Sequence, residues 1–250
     1  MSLNPHQFIP KDHPLLTPDW FGRPRRQINV TTALPRPTEY TKALNEEYKD
    51  VAFDELRAPF NKGKWRQDVF KVQPEAPLDL EVGTGNGLHF AWYTYKNPQR
   101  NLVGLELKYK PLIQSIRRAK NQCSKNAAIC RFHAFNIDLL FEKGELDNVF
   151  IHFPDPWTTP NKPKNRFVSR ENLEILFELQ KPGSFIEFKT DSREYFDWAL
   201  EEIKKSKYQT AGLSFDLHNS EFAEGNFKTA FEKIFLAQKI PINYIKLIKA

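Results

Sequence analysis

A short apolar run broken by glycines constrains this chain more than any other feature. Leu78-Asp79-Leu80-Glu81-Val82 reads as a buried strand, and Gly83-Thr84-Gly85-Asn86-Gly87 follows at once. Glycines there let backbone N–H groups approach a ligand closely. Leu88 to about Lys96 reads as a helix whose N-terminus faces that ligand. The alternation then continues. Asn101 to Leu107, Ile129 to Phe135, Leu146 to Phe153 and Ser184 to Lys189 read as strands. Pro111 to about Gln122, Arg170 to Gln180 and Ser192 to Lys205 read as the intervening helices. Strands and helices at this spacing imply a doubly wound sheet. Tyr208 to Leu217 and Ile242 to Ile248 alternate like two further strands.

The 250 residues suffice for one sizeable α/β domain. The first 60 or so residues differ from the rest. They hold eight prolines, from Pro5 to Pro59, and a basic knot at Arg23, Arg25 and Arg26. Proline fixes the backbone and removes donors, so residues 1–62 read as an extended arm, with one helix over Thr38 to Leu56. Residues 63–250 then form the main domain. No apolar run reaches the roughly 18 residues of a membrane span, and Met1 to Pro18 lacks a secretory pattern. Cys123 and Cys130 are too few for a disulfide framework, which fits a reducing cytoplasm. His6, His13, His89, His133, His152 and His218 show no ligand spacing, so no metal is expected. The net charge of +6 admits a polyanionic partner but describes a merely soluble surface equally well. Monomer and homodimer are left open.

Glu106 ends the second strand, 19 positions after Gly87, where an acidic residue takes ribose hydroxyls. Glu81 stands at the mouth of the glycine loop. A carboxylate there repels a pyrophosphate but attracts the ammonium and sulfonium of S-adenosylmethionine, which favours that cofactor over a nicotinamide dinucleotide. Asn136 or Asp138, after the third strand, is placed to read the adenine amino group. Ligands of such sheets bind beyond the carboxyl ends of the strands where strand order reverses. Strand four ends there, at Phe153-Pro154-Asp155-Pro156-Trp157, with Asp155 held between two prolines. The loop beyond carries Lys162, Lys164 and Arg166, which suit phosphates. Thr229 and Glu232 have the spacing of a helix capping box.

At these residues the sequence resembles the bacterial tRNA (guanine-N7)-methyltransferases. The resemblance begins near Lys62-Gly63-Lys64-Trp65 and runs to the C-terminus. It rests on Leu80 to Gly87, Val103 to Glu106, Phe153 to Trp157, Phe188-Lys189-Thr190-Asp191, Leu217 to Ser220, Glu224 to Asn226 and Thr229-Ala230-Phe231-Glu232. It implies a Rossmann-like class I methyltransferase with a seven-stranded, mostly parallel sheet whose last strand, Ile242 to Ile248, inserts antiparallel. It further implies methylation of the variable-loop guanine of tRNA from S-adenosylmethionine. Glu81, Gly83, Gly85, Glu106, Asn136 and Asp155 would line the cofactor site, with Asp155 also catalytic. Asp191 and Thr229 to Glu232 would contact the guanine. Thr159 replaces a lysine usual in the family, and Lys162 or Lys164 stands in for it. The rival readings are a nicotinamide-dependent oxidoreductase and a tRNA-binding protein without catalysis.

Overall fold

The computed structural model describes residues 8–26, 29–34, 36–159 and 163–250. The alternation forms one mixed sheet. Its strands are β1 (Ala52–Phe53), β2 (Leu78–Val82), β3 (Asn101–Leu105), β4 (Ala127–Cys130), β5 (Val149–His152), β6 (Phe185–Thr190), β7 (Gln209–Ser214) and β8 (Asn243–Ile248). They lie in the order β1-β4-β3-β2-β5-β6-β8-β7. β8 pairs antiparallel with both β6 and β7, and every other pairing is parallel. The sheet therefore has eight strands where seven were expected. The extra one is β1, a two-residue strand inside the segment read as helix, pairing Ala52 with Ile129 and Phe53 with Cys130.

Helices cover both faces. α1 (Glu39–Asn45), α2 (Leu88–Lys96) and α3 (Tyr109–Asn121) pack on one side around Leu44, Phe90, Leu112 and Ile116. α4 (Arg170–Leu179) and α5 (Arg193–Ile203) pack on the other around Leu173, Leu176, Tyr195 and Phe196. α6 (Ala230–Ala237) precedes β8. The period of two in β2 explains its sidedness: Leu78, Leu80 and Val82 join the α4–α5 core, while Asp79 and Glu81 point the other way. Asp79 is fully buried and paired there with Arg100 (Nη2–Oδ1 2.6 Å) and Tyr93 (OH–Oδ2 2.7 Å). Neighbours β2 and β5 lie at the reversal of strand order, so their carboxyl ends open a crevice. Among the described residues no helix is long and apolar enough to cross a membrane.

The arm packs onto this domain. Arg25 makes a two-pronged ion pair with buried Asp138, Nη2–Oδ2 being 2.8 Å, and the Asn136 amide bridges the Arg26 backbone. The expected helix is real but short. Thr38 caps it through the backbone of Thr41, and it ends at Asn45.

Candidate functional site

The crevice is an open cleft of about 830 Å³. Its walls come from the glycine loop, the ends of β3 and β5, residues 132–135 beyond β4, and the start of α6. Gly85 has φ +54°, a left-handed conformation, with open space where a Cβ would stand. Its N–H donates to Glu106 Oε2 (3.1 Å), and Lys108 N–H donates to Oε1 (2.9 Å). Burial pushes the Glu106 carboxyl above its ordinary range, against those two donors. A Cβ on Gly87 would lie 2.3 Å from Ser115 Cα, so helix α3 can sit this close only because residue 87 is glycine.

Glu81 is 2% exposed and lines the cleft, and its Oε2 has no hydrogen-bond partner. An orphaned buried carboxylate oxygen facing a cleft fits the ammonium of a methionine moiety. Across the cleft, Asp155 is exposed at the rim. The residues flanking its two prolines, Phe153 (φ 51°) and Trp157 (φ 44°), are both left-handed. Such conformations cost about 1–3 kcal/mol each and persist where the surroundings enforce them. Here Phe153 N–H donates to the Lys189 carbonyl (2.8 Å), and Arg166 Nε donates to the Pro156 carbonyl (2.8 Å).

Several sequence expectations change at this point. The third strand ends at Cys130, five residues earlier than read, and a 3-10 turn over Ala134–Leu139 follows. Asn136 therefore does not line the cleft. Its amide bridges the Arg26 backbone, accepting at Oδ1 (3.1 Å) and donating from Nδ2 (2.8 Å). Asp138 is likewise committed to Arg25. The position facing the cleft is His133, whose Nδ1 accepts from Phe135 N–H (3.3 Å). Burial, with Arg26 adding to it, lowers its pKa to about 4 and keeps the ring neutral. Arg166 is not free for phosphate. Its side chain is 3% exposed, pairs with Glu194, and packs 5.3 Å from the centroids of both Tyr195 and Trp198. Lys164 is exposed; Lys162 lies outside the described residues.

The capping box is confirmed, with Thr229 Oγ1 accepting from Glu232 N–H and Glu232 Oε2 from Thr229 N–H, both 3.2 Å. Thr229 also lines the cleft, but Glu232 does not. Both Glu232 oxygens are fully buried and taken, one by Lys189 (3.2 Å), the other by Asn226 (2.6 Å). Asp191 is half-buried at the end of β6, with its carboxyl pushed up by burial, and lies outside the wall, as does exposed Thr159. Two further residues border the cleft: Phe231, inside the segment Thr229 to Glu232 expected to contact the guanine, and Arg26 of the basic knot, to which the sequence reading gave no role in the site. Phe231 is 54% exposed at the mouth, with its ring 6.3 Å from Phe153 and 6.2 Å from Phe235. Arg26 lines the cleft over the Phe135 ring. The basic knot flagged Arg26, but nothing local tied it to this cleft.

Comparisons with known proteins fix the fold and the family. The family model described as "Putative methyltransferase" matches residues 75–244. A Bdellovibrio bacteriovorus protein named tRNA (guanine-N(7)-)-methyltransferase is 67% identical, over 83% of this chain and 99% of that one. Proteins of the same name from Lachnoclostridium phytofermentans and Bacillus subtilis are each 33% identical, covering 73% and 72% of this chain and 84% and 83% of theirs. Among solved structures, the 16S rRNA methyltransferase KamB superposes with a TM-score of 0.52 at 15% identity, over 70% of this chain and 88% of that one. An antibiotic-related methyltransferase gives 0.50 at 19%, over 68% and 86%. The solved structures establish the methyltransferase fold, and the relatives establish that this chain belongs to the tRNA (guanine-N(7)-)-methyltransferase family.

Proposed function

We propose that the chain methylates N7 of a guanine in tRNA with S-adenosylmethionine as donor, and that the target is the variable-loop guanine, position 46. The observation that carries this reading is one cleft with the orphaned Glu81 carboxylate on one wall and the rigidly held Asp155 on the other. The cofactor supplies a methyl group on a sulfonium, which the free lone pair of guanine N7 displaces without a general base. Glu81 accepts the ammonium, Glu106 the ribose hydroxyls, and the backbone at Gly83 and Gly85 lets the donor lie close. Asp155 faces the purine, where a fixed carboxylate stabilises developing positive charge. Exposed Phe231 offers a stacking surface and Thr229 a hydroxyl at the same wall. Asp191 and Thr159, outside the cleft wall, add substrate contacts once tRNA is bound, and Lys164 meets phosphate. Residues 63–250 form the catalytic domain and 1–62 an arm docked on it, acting in the cytoplasm.

The test combines nucleoside mapping with a variant. Purified protein, unmodified tRNA and S-adenosylmethionine should give 7-methylguanosine at the variable loop. Asp155→Asn should keep the fold and most tRNA affinity and slow single-turnover methylation by about two decades, the loss typical of one electrostatic stabiliser. Methylation at any other atom, or a near wild-type rate in Asp155→Asn, would refute the reading.

A further inference from the structure

Three side chains far apart in the sequence converge in the lining of the cleft. Glu81 comes from the end of β2, His89 from the first turn of α2, and His152 from the end of β5. One potential ligand atom of each lies within 4.8 Å of the other two. They are 2%, 6% and 9% exposed. Glu81 Oε2, His89 Nδ1 and His152 Nδ1 all lack a hydrogen-bond partner. Glu81 Oε2 and His89 Nδ1 are 3.1 Å apart, yet the pair does not align as a hydrogen bond. Three buried polar atoms left unmatched within one cluster of side chains are costly unless something joins them.

The surroundings say what would join them. His152 Nε2 lies 2.8 Å from Glu187 Oε1, which places the ring proton on Nε2 and leaves the Nδ1 lone pair free. A carboxylate behind an imidazole is how metal-ligating histidines are oriented. Two imidazoles and one carboxylate form a ligand set for Zn²⁺ and related first-row ions. Bonds of about 2.0–2.1 Å put tetrahedral ligands about 3.3 Å apart, close to the Glu81–His89 separation. Charge points the same way: the ion-pair contacts of the Glu81 and Glu187 carboxylates are to histidine rings, at 3.1 Å and 2.8 Å.

We propose that Glu81, His89 and His152 bind a divalent first-row cation of the Zn²⁺ class, oriented through Glu187, and that this ion and the methyl donor exclude each other because both need Glu81. The exclusion rests on the cofactor reading of Glu81; ion binding does not.

The test uses the untagged full-length protein and Co²⁺ as a spectroscopic probe. One equivalent should bind with visible ligand-field absorption, Zn²⁺ should displace it, and excess S-adenosylhomocysteine should abolish the signal. His89→Phe and His152→Phe should each remove the one-equivalent signal. Glu187→Gln, which leaves all three ligands in place, should weaken Co²⁺ affinity by about 10–100-fold. Anomalous diffraction at the zinc edge from the wild-type protein should place the ion among the three side chains, whatever the folding of the variants. Absence of one-equivalent binding, binding indifferent to both histidines, or an ion located elsewhere would overturn the site. Co²⁺ that stays bound under saturating S-adenosylhomocysteine would overturn the exclusion. Failure of the metal-free protein to bind S-adenosylhomocysteine would instead count against the cofactor reading.

Discussion

Glu106 spends its carboxylate on two backbone N–H groups while facing the cleft. Replacing it removes a brace on the glycine loop and, on the proposed reading, the ribose acceptor. Glu106→Ala should weaken S-adenosylhomocysteine binding by roughly 1.5–3 kcal/mol, about one to two decades by calorimetry. Unchanged affinity in a folded variant would remove the ribose assignment. His133 gives a second expectation. Its pKa falls from 6.5 to about 4 on folding. Below pH 6.5 the unfolded chain takes up a proton that the native ring refuses. Stability should therefore drop between pH 6.5 and about 4 and gain no further contribution from this group below that. NMR titration of the ring should give a midpoint well below 6.5, and Arg26→Ala should raise it; a midpoint at 6.5 would show the ring to be solvated. Glu81, Glu106 and Asp155 were legible because each stands at a strand end that topology turns toward one crevice. His133 was not, because naming it required knowing that β4 stops at Cys130.

The elements show why that boundary was hidden. Apolar residues alternate with polar ones beyond Cys130, buried Phe132 among them, and alternation reads as strand whether or not the segment pairs. Chain geometry, turning into a 3-10 segment, decides otherwise. The Pro-Asp-Pro-Trp loop and its basic sequel illustrate a related limit. Lys164 and Arg166 look equivalent in sequence, since charges in a loop read as solvated. Tyr195 and Trp198, three apart on α5, share one helix face, and Arg166 packs against it while gripping Pro156. Arg166→Ala should cost about 1–3 kcal/mol in urea unfolding and slow methylation by loosening Asp155, with the salt dependence of tRNA binding unchanged. Lys164→Ala should lower that salt slope by about one unit and leave stability within about 0.5 kcal/mol. The reverse assignment of effects would exchange their roles.

At the scale of the whole molecule, the doubly wound sheet was readable from alternation alone, whereas the antiparallel insertion of the last strand followed from the family resemblance. Docking of the arm was not, because its contacts run through backbone groups and partners distant in sequence: Arg26 main chain on Asn136, Arg25 on Asp138. Two paired residues carry no periodicity, so β1 could not be seen either. That small strand has a consequence for how the protein behaves among its own copies. The outermost strand of a sheet offers a row of unpaired peptide groups to any passing chain, a template for aggregation. Without β1 that strand would be β4. Instead, Ile129 N–H donates to Val51 and Arg131 N–H to Phe53, each at 2.8 Å, so the free edge passes to a strand only two residues long. A segment with no part in the chemistry thus blunts the flank of the sheet and favours solubility at high concentration.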